Sequence, residues 1–185
     1  MRSSYAGART RHAAARAEAY AFARMDAIEE GVCGPDLRFG DIDALALQTW
    51  THTWTGVHPS GAGKWNWEAR VDQLPRRPAV LPMAIWHGQD LCGLAVGQAS
   101  RKRATGVRHT VTLTFVERRP EPPDVPLRGK IIYLAITAAR AYGITLGARR
   151  LRLRNPDRNL LWYYQLLGFE VVWKGDEAIY CEQEI

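Results

Sequence analysis

Cysteine is scarce in this 185-residue chain. Cys33, Cys92 and Cys181 are the three present, far apart and without a Cys-x-x-Cys pair. An odd, dispersed set argues against a disulfide scaffold and a cysteine-rich zinc site, and fits a reducing cytoplasm. Long hydrophobic runs are also lacking. No stretch reaches the roughly 20 apolar residues of a bilayer span, and mean hydropathy is −0.28, so no membrane-embedded protein is expected. The aromatic poverty of disordered chains is not found either. Seven Trp, seven Tyr and four Phe, with 46% apolar residues overall, suffice for a full core. The length suits one domain with a small extra element.

Acidic residues are thin in one region. From Arg101 to Arg154, thirteen Lys and Arg meet only Glu117, Glu121 and Asp124, a balance of +10, while the remaining residues sum to −4. Such a contiguous basic third attracts a polyanion, either nucleic acid or a phosphorylated cofactor. A solvated arginine-rich surface would explain the 21 Arg against four Lys but not their clustering.

The first thirty residues, rich in Ala and Arg, predict a helix over Arg11–Glu29 with a modest apolar stripe. The Arg-rich start resembles a transit peptide, a pattern broken by Glu18, Asp26, Glu29 and Glu30. Residues 1–30 are therefore expected as a structured or oligomer-forming helical appendage, a homodimer being one outcome, and 31–185 as the main domain. Leu37–Phe39 reads as a short strand. Asp41 is the expected cap of a helix over Ile42–Trp54, and Trp65–Leu74 reads as a second helix beyond a Gly-rich loop at 56–63. Val80–Trp86, Leu91–Ala99 and Thr110–Val116 form an antiparallel meander. After the Pro-rich Arg119–Pro126, helical spacing resumes at Arg128 and ends at Gly147. Arg150–Arg154 alternates as a strand, a short helix ends at Gly168, and Glu170–Trp173 and Ala178–Glu182 close the chain. The sum is one α/β domain around a mixed, mostly antiparallel sheet flanked by helices.

The informative stretch runs from Thr110 to Phe169: strand, turn into a helix, strand, then a helix ending Tyr164-Gln165-Leu166-Leu167-Gly168-Phe169. This order and the Tyr-x-x-x-Gly-Phe ending resemble the GNAT superfamily of acyl-CoA-dependent N-acetyltransferases. Pro126-Leu127-Arg128-Gly129-Lys130 is similar to that superfamily's phosphate-binding turn. It departs from the usual pattern, since the two later Gly places fall on Ile131 and Tyr133. A physical argument stands beside the resemblance. A helix starting near Leu127 would carry Arg128 and Lys130 in its first turn, where cations oppose the helix dipole unless an anion arrives.

The resemblance implies that acetyl-CoA is the cosubstrate and that its pantetheine arm lies as a pseudo-strand beside Phe115, Val116 and Glu117. Leu127, Arg128, Gly129, Lys130 and Ile131 would hold the diphosphate, and Asn155 or Asn159 would lie near the arm. Tyr164 matches the general acid, four residues before the Gly, although Tyr163 competes for the position because neighbours on a helix face about 100° apart. Glu117 is the expected base, with His109 or a water chain as alternatives. Trp54, Trp65 and Trp67, near Trp50, His52 and His58, would form the acceptor pocket. A metal site is not expected, for want of ligand spacing. The expected reaction is acetyl transfer to a primary amine of a small molecule or peptide by direct attack in a ternary complex. The competing readings are a nucleic-acid-binding module, supported by charge alone, and a GNAT-type toxin acting on aminoacyl-tRNA.

Overall fold

The computed structural model describes residues 2–55, 65–74, 78–100, 110–120, 126–175 and 177–185. The expectations at Gly56–Gly63, His58, Pro75, 101–109 (His109 included), 121–125 and Asp176 lie outside them.

Alanine recurs at 15, 19, 23 and 27, one position per helical turn, and this row shapes the first element. Helix α1 (Arg2–Glu29) buries all four, and their small side chains let it lie against a second helix in the same core. The N-terminal segment is therefore helical over Arg2–Glu29, and its alanine row packs into the same core as α4. Its contacts make the same point. Arg16 forms a bidentate pair with Asp41 through Nε and Nη2 (both 2.9 Å), the Tyr20 hydroxyl donates to the Pro82 carbonyl (2.6 Å), and His12 meets the Tyr142 hydroxyl at 2.7 Å.

Strand β1 (Leu37–Gly40) leads to α2 (Ala44–Thr53). The cap of α2 is Asp43, whose side chain accepts from the Ala46 amide at 2.9 Å. The expected cap, Asp41, is instead taken up by Arg16 and Tyr20 of α1, a tertiary competition invisible to local reading. Asn66 caps α3 (Trp67–Gln73). A meander follows: β2 (Val80–His87), β3 (Asp90–Ala99) and β4 (Thr110–Arg118). Then come α4 (Ile131–Thr145), β5 (Arg150–Arg154), a 3-10 turn at Arg158–Leu160, α5 (Leu161–Leu166), β6 (Glu170–Lys174) and β7 (Glu177–Glu184). Helix α4 begins three residues later than its periodicity predicts, because Pro126–Lys130 forms a turn with Leu127 and Gly129 at φ +65° and +77°.

The sheet order is β1-β2-β3-β4-β5-β7-β6, antiparallel except for β4 against β5. Period-two alternation sorts its side chains onto two faces. Leu81, Met83, Ile85, Leu113, Leu151 and Leu153 pack with α1 and α4, while Val80, Ala84, Trp86, Leu94 and Val96 pack with Trp50, Trp54 and Trp67 of α2 and α3. Strands covered on both faces carry apolar residues at consecutive positions, which is why β2 and β3 read as near-continuous hydrophobic runs.

Candidate active site

Strands β4 and β5 begin as ordinary parallel neighbours, with Thr110 to Leu113 in register with Arg150 to Leu153. Beyond Leu113 the pairing stops, although β4 runs on to Arg118. The cause lies on the other side of β4. Val96 pairs with Phe115 and Gly97 with Leu113, so Thr114 is an extra residue, a β-bulge that turns the strand away from β5. Past the bulge the Arg119 amide bonds to the Cys92 carbonyl at 2.9 Å. Alternation then turns the backbone groups of Phe115 and Glu117 toward β3, and those of Val116 and Arg118 into the gap. The gap is a wedge, and along one side runs a strand edge unpaired among the described residues.

The turn Pro126–Lys130 and the start of α4 close one end of this wedge. Lys130 is the N-cap, and no side chain caps the helix. The Lys130 amide bonds to the Leu127 carbonyl (2.9 Å), so the first amides left without an intrahelical acceptor are those of Ile131, Ile132 and Tyr133. Gly129 tolerates its positive φ freely, and an added Cβ there would meet nothing within 4 Å. Leu127 does not share that freedom. Its side chain is buried in the core, which offsets the strain of the left-handed backbone. On the α4 face, Val116, Arg118, Arg128, Gly129, Ile131, Ile132, Leu160, Trp162 and Tyr163 enclose a cavity of about 500 Å³. The expected phosphate-turn residues Arg128, Gly129 and Ile131 thus meet Val116 at one cavity. Lys130 is turned aside, its ammonium donating to the Val32 carbonyl.

Phe115 and Glu117 send their side chains to the opposite face. The Trp67 indole N–H donates to a Glu117 carboxylate oxygen at 2.5 Å, and Trp65 stands edge-on to Phe115 at 4.7 Å. Trp54 and Trp67 are fully buried, so they form core rather than the wall of an acceptor pocket, and Trp54 bonds to the Leu91 carbonyl at 3.3 Å. Trp65 is only half-buried. A second cavity of about 210 Å³ opens on this face, bounded by Thr114 and Phe115 of β4, Arg154 of β5 and Arg70 of α3. Sequence reasoning did not find Arg70, Thr114, Arg118 or Arg154. No local signal marks the bulge at Thr114. The Arg-Leu alternation of β5 was visible, but the face its arginines take was not.

Of the two adjacent tyrosines on α5, Tyr163 lines the larger cavity and Tyr164 is buried in the core. Burial first, then the charges of Asp157 and Cys181, push the Tyr164 phenol up to about 12, and burial raises Tyr163 too. Both are neutral proton donors at physiological pH. Asn155 and Asn159 are exposed beyond the end of β5 and form no part of either cavity wall, with Asn155 at φ +49°. His52, exposed, faces the Gln48 carbonyl of its own helix. Among the described residues no group of three metal-ligating side chains occurs, and no helix is long and apolar enough to cross a membrane.

No family model and no curated protein sequence matches the chain. Solved structures do. An acetyltransferase from Thermus thermophilus superposes with TM-score 0.55 at 16% identity, over 80% of this chain and 97% of that one. A protein described as a GNAT-family acetyltransferase, from Desulfovibrio desulfuricans, gives 0.51 at 16%, over 80% and 98%. Arabidopsis thaliana Naa50 in complex with the bisubstrate analogue CoA-Ac-MVNAL gives 0.52 at 10%, over 81% and 99%. This is the GNAT fold. Within the GNAT fold of this chain, the wedge lies between β4 and β5 and the turn at Pro126–Lys130 directly precedes α4.

Proposed function

We propose that the chain is an N-acetyltransferase that uses acetyl-CoA and a primary amine bound on opposite faces of the wedge. The observation that carries this reading is the unpaired run of β4 after Leu113, with a cavity on each face of the sheet beside it. The fit to the cosubstrate is chemical as well as spatial. The Val116 and Arg118 backbones offer a strand edge to the amides of a pantetheine arm. The free amides of Ile131, Ile132 and Tyr133, with Arg128 beside them, suit a diphosphate. When bound, acetyl-CoA supplies an acetyl group activated as a thioester. The residues of the chain then handle two protons. Glu117, on the acceptor face, takes the one that the ammonium must lose before the nitrogen can attack. Tyr164, kept neutral by burial, gives the one that the departing sulfur needs, and Tyr163 borders the arm. Direct attack agrees with the thiol chemistry. Burial pushes Cys92 and Cys181 up to about 11, so neither supplies a thiolate to carry the acetyl group.

Thermal melting with acetyl-CoA tests the reading. A ligand at a hundred times its Kd adds about 2.7 kcal/mol, so saturable stabilisation is expected. Gly129→Val should abolish it, since a β-branched residue does not adopt φ +77°. The nucleic-acid reading draws on the basic third, but Arg119 is paired with Asp90, and Arg150 and Arg152 with Glu182. If charge alone governed, RNA would stabilise the chain, acetyl-CoA would not, and the effect would fall steeply with salt.

A further inference from the structure

Strand β5 places Arg150, Arg152 and Arg154 in a row on the face opposite α4. The first two share one carboxylate. Arg150 bonds to Glu182 at 3.1 Å, and Arg152 bonds to it at 2.6 Å while lying 4.0 Å above the Tyr180 ring. Glu182 is spent on that pair. Arg154, opposite Tyr180 in the register, meets no carboxylate among the described residues, and it forms one wall of the 210 Å³ cavity. Arg70 supplies another wall. Its guanidinium stacks 4.2 Å from the Phe115 ring centre and 5.4 Å from that of Trp65, and it too has no carboxylate partner among the described residues. A stacked guanidinium is held in orientation while its in-plane N–H donors stay available. The rest of the lining combines Gln73, Gln98 and Thr114 with apolar groups, and no acidic residue lines it among the described residues. Two arginines thus border one small chamber of mixed polar and apolar lining at the point where β4 and β5 part.

We infer that this chamber binds an anionic group, carboxylate or phosphate, carried by the acceptor amine itself. The substrate class is then a small amine with a nearby anion, held by Arg70 and Arg154 so that its nitrogen faces the wedge. The volume suits the head of a small molecule rather than a polymer. This inference rests on the transferase reading for its substrate and on the two arginines for its site.

The test is steady-state release of CoA thiol from acetyl-CoA by the full chain, using amine pairs that differ in one anion. An α-amino acid is set against its amide, and an amino sugar against its 6-phosphate, so the pairs separate carboxylate from phosphate. Expected is at least a tenfold preference in kcat/KM for the anionic member of one pair, carried by KM. Arg154→Gln should compress that ratio below twofold, and Arg154→Lys should keep part of it. Equal kcat/KM within both pairs, or a ratio unchanged in Arg154→Gln, overturns the inference. Should no amine release thiol, the same comparison is read by melting with succinate and with inorganic phosphate. Saturable stabilisation lost in Arg154→Gln but kept in Arg128→Gln then upholds the anion site while the transferase reading fails. No stabilisation, or stabilisation lost only in Arg128→Gln, overturns the site.

Discussion

Tyr163 and Tyr164 show how far a single position can be argued. They are neighbours on a helix, about 100° apart, so they must divide wall and core between them. The structure gives the wall to Tyr163 and the core to Tyr164. If Tyr164 is the proton donor, Tyr164→Phe should lower kcat by about a hundredfold or more while leaving the acetyl-CoA melting shift intact. Tyr163→Phe should act on the KM for acetyl-CoA instead, and the opposite pattern would exchange their roles. The same phenol predicts an alkaline response. An unfolded chain loses the Tyr164 proton near 10 and the folded protein near 12. Between those values the unfolded state binds fewer protons, so stability falls with rising pH. The contribution is complete below pH 10 and is lost toward pH 12. Urea melts of wild type and Tyr164→Phe across that range should show a steeper decline for wild type.

At the scale of elements, the wedge depends on how closely α4 approaches the sheet. Gly93 on β3 permits that approach, because a Cβ there would lie 2.6 Å from Cγ2 of Ile131, the first residue of α4. Gly93→Ala forces the helix start outward. The overpacking should cost about 1–3 kcal/mol, and the turn carrying Arg128 and Gly129 should move with it. Both the melting temperature and the acetyl-CoA shift should therefore fall. A variant that loses stability but keeps the full acetyl-CoA shift would show that the turn is held independently of α4. The bulge at Thr114 belongs to this scale too, since it exists only in the pairing of β4 with β3.

Across the whole molecule, α1 is the element whose packing is hardest to read from its sequence. Its apolar stripe is weak because the buried residues are alanines, and alanine signals helix more strongly than burial. Ala23 is fully buried and Ala14 is exposed. Ala23→Leu should destabilise the protein by about 1–3 kcal/mol, while Ala14→Leu should stay within roughly 0.5 kcal/mol. Equal and negligible effects in chemical denaturation would mean that α1 stands apart from the domain. The basic third of the chain also reads differently in three dimensions. Arg119, Arg150 and Arg152 are spent on carboxylates, Arg118 and Arg128 face the larger cavity, and Arg154 faces the smaller one.

Local and periodic features determined much of this protein from the sequence alone. The strand meander, the body of helix α4, its Gly147 stop and the Arg-Leu strand were legible because alternation and helical spacing act within a few residues. Tertiary structure alone decided the rest. Asp41 lost the capping role to Asp43 because Arg16 and Tyr20 reached it from a distant helix. Trp54 and Trp67 went to the core, and Arg154 borders the smaller cavity while Arg150 and Arg152 share Glu182. Each of these outcomes is a competition among side chains far apart in sequence, and only the folded arrangement brings the competitors together.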